Sequence, residues 1–155
     1  MRLVCLAAVL VALVGARGAS PPPAVVNVVA VHATQENRPQ RHVDAALAGL
    51  DASIADITEF DTFRELHNET VSVPFAETQR VVLTPKYALF ITQLGTGKGA
   101  QVRLSLVIKQ PPKAGQDKPI ETVATTVLMS PGTPFRMRGL PWQGGELVVV
   151  VSLKG

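Results

Sequence analysis

Hydrophobic and polar positions follow different periods along this chain. From Leu3 to Val14 the run is apolar throughout. Ala24 to Ala33 reads Ala-Val-Val-Asn-Val-Val-Ala-Val-His-Ala, and this Val-rich run predicts a strand buried on both faces. The period then becomes helical. Val43, Ala46, Leu47, Leu50, Ile54 and Ile57 share one stripe, with Asp44, Asp51 and Asp56 off it, which predicts an amphipathic helix over 43–56. Gly49 within it costs up to about 1 kcal/mol relative to Ala.

After the helix the pattern is strand and turn. Thr62–His67 and Thr70–Phe75 read as short strands, and Gln79–Thr84 and Lys86–Leu94 as longer ones around a bend at Pro85. Val102, Leu104, Leu106 and Ile108 alternate with Arg103, Ser105, Val107 and Lys109, the period of a strand with one wetter face. Gln110–Pro119 reads as the loop at a hairpin tip. Ile120–Met129, Phe135–Arg138 and Glu146–Leu153 complete the set. The expected architecture is α+β: one amphipathic helix packed on a mainly antiparallel β-sheet of six to eight strands, with a single core.

The first residues set the expected compartment. Met1-Arg2-Leu3 is a short basic start, the apolar run follows, and Gly15 to Ser20 is mostly small before Pro21-Pro22-Pro23. This order is that of a secretory signal peptide, and the run is too short to span a bilayer, which takes about 20 apolar residues. The reading divides the chain into a signal peptide at 1–18, a Pro-rich linker at 19–23 and one domain at 24–155. The product is periplasmic or secreted, with no transmembrane span in the mature chain.

Composition then removes chemistry. Cys5, the one cysteine, leaves with the signal peptide, so the mature chain has neither a disulfide nor a thiolate nucleophile. Net charge falls from +3 to +1 once Arg2 and Arg17 leave, which argues against nucleic-acid binding. Charge is unevenly spread: residues 36–77 hold nine acids and three bases, and residues 80–155 hold ten bases and three acids. The expectation is two solvated faces within one domain; the alternative is a dipolar molecule that packs against copies of itself.

No residue pattern announces catalysis. His32, His42 and His67 share no metal-ligand spacing, although His67 lies among Glu65, Asn68 and Glu69. There is no Gly-x-Ser-x-Gly elbow, and Gly95-Thr96-Gly97-Lys98-Gly99 fails the phosphate-loop pattern and reads as a hairpin turn. No metal and no cofactor are expected. Arg136 and Arg138 beside Trp142 are the candidate ligand-binding residues, since a basic pair next to an aromatic suits an anion; the competing reading is a solvent-facing strand near a core-plugging Trp. Leu147, Val149, Val151 and Leu153 mark a final strand that is either central or an edge able to recruit a partner strand.

The order of signal peptide, strand ending Val31-His32-Ala33, Leu-bearing helix, Phe60-x-x-Phe63 and closing strands resembles a family of short exported proteins of Gram-negative bacteria. In that family a glycine-punctuated hairpin follows a strand. Thr125 to Leu140 also resembles the strand, Gly turn and Gly-Leu run of the secretin outer-membrane domain, with Arg138-Gly139-Leu140 where secretins have Gly-Gly-Leu. Neither resemblance supplies a catalytic residue. The expected function is non-enzymatic protein–protein association, with an unidentified protein or with itself, as an accessory to an envelope assembly. The alternative is a small-ligand or anion-binding domain.

Overall fold

The structure, a computed structural model, describes residues 18–155. Apart from residue 18, the expected signal peptide lies outside the described residues. The described residues form nine strands rather than the expected six to eight: β1 (Ala24–Thr34), β2 (His42–Val43), β3 (Thr62–Val73), β4 (Thr78–Thr84), β5 (Tyr87–Thr96), β6 (Val102–Gln110), β7 (Ile120–Met129), β8 (Phe135–Trp142) and β9 (Gly145–Leu153). They form two sheets rather than one. The five-stranded sheet has the order β2-β3-β1-β9-β8, and the four-stranded sheet the order β4-β5-β6-β7. All pairings between these strands are antiparallel except the two-residue contact of β2 with β3.

The sheets pack face to face, because each strand of the sandwich keeps one apolar row. Val26, Val28 and Ala30 of β1 and Leu147, Val149, Val151 and Leu153 of β9 meet Leu89 and Ile91 of β5 and Leu104, Leu106 and Ile108 of β6 in one core. The opposite face of the five-stranded sheet is apolar too. Val29, Val31 and Ala33 of β1 and Val148 and Val150 of β9 pack under Leu47, Ile54, Ile57 and Phe63. β1 is therefore buried on both faces from Val28 to Val31, as its Val-rich run predicts, and β9 likewise from Leu147 to Val151.

The layer over that second face corrects the expected helix. Residues 45–50 form a 3₁₀ segment, and α1 is only Asp51–Ile54. The apolar spacing explains this. Leu47 and Leu50, and again Ile54 and Ile57, are three apart, which suits the 3₁₀ repeat as well as the α repeat. Leu47, Ile54 and Ile57 are still buried, and Ala46 is exposed.

Two further expectations change. Thr62–Val73 is one strand, with a bulge opposite Ala30 and Val31, rather than two short strands. The turn at 130–134 carries the chain from one sheet to the other, so Thr125–Leu140 is not a hairpin. At the β8–β9 turn Gly145 is required sterically. An added Cβ there would lie 2.2 Å from the Ala33 carbonyl oxygen.

Candidate functional site

Arg136 and Arg138, the candidate anion-binding pair, are both engaged by acidic side chains of the protein itself. Arg136 faces the helical layer, opposite Val150 of β9. Its guanidinium donates to Ser53 O at 2.6 Å and to both carboxylate oxygens of Asp56, one at 2.9 Å. Asp56 is consequently held at about 2, below its ordinary 3.8, by the Arg136 hydrogen bonds. The strand bulges between Met137 and Leu140, where Gly139 takes φ +83°, a conformation that suits glycine. Arg138 then binds Glu146 at 2.9 Å and Glu59 at 2.9 Å, and the Gly139 N–H also donates to Glu146. Its hydrogen bonds to Glu146, then to Glu59, raise the Arg138 pKa above its ordinary value. Both arginines are braces between β8 and the helical layer.

Trp142 does not join them. Its Nε1 is buried and has no hydrogen-bond partner among the described residues. Its carbonyl accepts from His32 Nε2 at 3.1 Å, which fixes the proton of that ring on Nε2, and the neighbouring Pro141 carbonyl accepts from the Tyr87 hydroxyl at 3.0 Å. His32, Tyr87 and Trp142 thus close one end of the sandwich. An anion site made of Arg136, Arg138 and Trp142 is not what this arrangement builds.

The final strand is also placed. β9 lies between β1 and β8, and Leu147, Val149, Val151 and Leu153 face the sandwich core. Both of its edges are taken, so it cannot recruit a partner strand. His67 Nε2 pairs with Glu69 at 2.9 Å on the surface, and among the described residues no three His, Cys, Asp or Glu side chains gather to hold a metal ion. No described helix is long and apolar enough to cross a membrane.

What the sequence reading missed lies on the four-stranded sheet. Among the described residues nothing covers its outer face. Register places Arg103 beside Leu128, Ser105 beside Thr126, and Val107 beside Ala124 on that face, with Phe90 beside Val107 and Arg80. Leu128 is 50% and Val82 47% exposed. Arg80, Lys86 and Arg103 make no ion pair among the described residues; Lys109 reaches Glu121 at 3.8 Å. The acids of residues 36–61 are by contrast mostly engaged on the other side of the molecule. Glu36 binds Arg38 and Arg64, and Arg64 first, then Arg38, hold its carboxyl at about 2 against an ordinary 4.5. The charge asymmetry is thus an internally paired face opposite a basic one on which Arg80, Lys86 and Arg103 have no acidic partner among the described residues.

The free sheet edges differ in kind. β8 is guarded by Arg136, Arg138 and Pro141, and β4 is seven residues with Arg80 third among them. Beyond Phe63, β3 carries Arg64, Glu65, His67 and Glu69. β7 is ten residues, Ile-Glu-Thr-Val-Ala-Thr-Thr-Val-Leu-Met, with one charge at Glu121 and no proline. The signal was in the sequence, in the absence of any charge from Thr122 to Met129.

No known protein family, curated protein or solved structure matches this chain. The resemblances drawn from the sequence gain no support from these comparisons.

Proposed function

We propose that this chain is an exported, non-enzymatic protein–protein association module that joins to a second copy of itself by strand addition at β7. The observation that carries the reading is the unguarded β7 edge beside three guarded ones. Soluble proteins block sheet edges with lysine, proline, inward charge or very short strands, because unpaired N–H and C=O groups template pairing. β7 uses none of these beyond Thr122, the extra residue of a bulge opposite the Ile108–Lys109 step. Its Thr-rich, uncharged run suits pairing with itself. Antiparallel Thr and β-branched cross-strand pairs each contribute roughly 0.2–1 kcal/mol. A two-fold axis through Thr125 would set Ala124 against the partner's Thr126 and oppose no like charges.

The guarded edges limit the assembly to a closed pair. One added strand per molecule gives a dimer with an eight-stranded sheet, since β4 does not offer a second template. Export rests on the signal-peptide pattern of residues 1–18, and a place accessory to an envelope assembly rests on the sequence resemblance.

Sedimentation velocity across a concentration series tests the association. The wild type should show a monomer–dimer equilibrium. Ala124→Lys/Thr126→Lys, two exposed outer-face positions, should be monomeric with an unchanged circular dichroism spectrum. A wild type that is monomeric throughout overturns the reading, and so does a double variant that dimerises equally well. Expression in a Gram-negative host should give an extracytoplasmic chain beginning near residue 19; an intact Met1 on cytoplasmic protein refutes export.

A further inference from the structure

We propose that the cleft between the β4–β5 bend and the β6–β7 loop is a binding site for a small organic anion with an apolar body. The cleft holds about 350 Å³, within the range of ligand pockets. Its apolar lining comes from the outer row of the sheet, Val82, Ala88 and Phe90, and from the loop prolines Pro111, Pro112 and Pro119. Fixed proline φ angles mean that such a wall is largely ordered before a ligand arrives.

Three cations, Arg80, Lys86 and Lys109, complete the lining, and no carboxylate belongs to it. Arg80 and Lys86 have no acidic partner among the described residues. Lys109 Nζ stands 5.1 Å from the centroid of the Phe90 ring and 3.8 Å from Glu121, so Arg80 and Lys86 are the cations left for a ligand's acid group. A neutral apolar ligand would leave these cations unused, and a small inorganic anion would leave the prolines and Phe90 unused. The combination selects a ligand with both parts, an apolar body against Phe90 and the prolines and a carboxylate, sulfonate or phosphate toward Arg80 and Lys86.

The site is distinct from the dimer edge, because it is built from β4, β5, the end of β6 and the loop rather than from β7. The probe is 8-anilinonaphthalene-1-sulfonate, followed by fluorescence, with uncharged N-phenyl-1-naphthylamine as its counterpart. The wild type should bind the sulfonate saturably at one site and the uncharged dye more weakly. Arg80→Glu should weaken sulfonate binding about tenfold, the loss expected when a charge-assisted hydrogen bond is removed. Phe90→Ala should weaken both dyes. Arg103→Glu, on the same face outside the cleft, should leave both unchanged, and circular dichroism should show every variant folded. Absence of saturable sulfonate binding by the wild type overturns the proposal. Equal affinity for the two dyes, or an Arg103→Glu loss equal to that of Arg80→Glu, overturns it as well.

Discussion

The guanidinium of Arg136 on β8 spans 80 residues of sequence to grip Asp56, just past the end of α1. This contact, with Arg138–Glu59 beside it, ties an edge strand to the layer that covers the five-stranded sheet. An arginine that could have held a ligand instead fixes the position of Ile54 and Ile57 over Val148 and Val150.

The pair has a pH signature. Asp56 is held at about 2 against an ordinary 3.8, and Glu36 at about 2 against 4.5. Both folded-state values are depressed, so the stability they contribute is present above the ordinary values and is lost as pH falls through the folded ones. Melting temperature should therefore decline as pH is lowered from about 4.5 to about 2. Arg136→Gln should flatten part of that decline and leave the region above pH 5, well clear of both ordinary values, with a uniform loss. An unaltered slope in the variant would show that Asp56 is not coupled to folding through Arg136.

Leu47, in the 3₁₀ segment, is fully buried against the five-stranded sheet, whereas Asp51 is exposed at the start of α1. Leu47→Ala should cost about 2–5 kcal/mol in urea unfolding, the range for truncating a buried leucine. Asp51→Ala should change stability by less than about 0.5 kcal/mol, as surface substitutions do. Equal effects would mean that the layer is not packed as described.

Much of the strand pattern was legible, because alternation is a local property. The run Val102–Ile108 and the double-sided run Val26–Ala33 name their own burial. Which sheet a strand joins is not local. Pro131-Gly132 reads as a hairpin turn, yet the chain there crosses between sheets, because β8 finds its partner in β9. Thr62–Val73 looked like two strands because Asn68 and Glu69 interrupt its apolar positions, as an exposed strand edge allows. The arginine pair was legible as a motif, but its counter-charges lie in another layer, and no spacing rule connects Arg136 with Asp56. Phe90 and Lys109 were each assigned to strands, and only register brings them together.

Gln93 is a buried polar residue with both ends of its amide used. Its Oε1 accepts from the Ala24 N–H at 3.1 Å, and its Nε2 donates to Pro22 O at 3.1 Å. These bonds fasten the start of β1 to β5 in the other sheet. Gln93→Leu fills the space but leaves the Ala24 N–H without its partner, a loss of about 1–3 kcal/mol. Hydrogen exchange should then quicken at the Ala24 amide while the centre of β1 stays protected. Unchanged exchange there would show that Gln93 does not anchor the segment.

The last prediction separates core from edge within the β-rich end of the sequence. Val150 is 1% exposed and packs beneath Ile54 and Ile57, in a strand with neighbours on both sides. A lysine there has no carboxylate within the apolar cluster and cannot be paired, so it must be buried uncharged or expel the layer above it. Val150→Lys should therefore abolish the cooperative thermal transition or lower stability by more than about 4 kcal/mol, the tail reserved for such changes. Thr126→Lys places the same side chain on an exposed position of β7 and should melt within a few degrees of the wild type. The two strands have similar β-forming sequences, and the contrast arises from their places in the sheets alone. A folded Val150→Lys that loses dimerisation would restore β9 as an association strand and contradict its interior position.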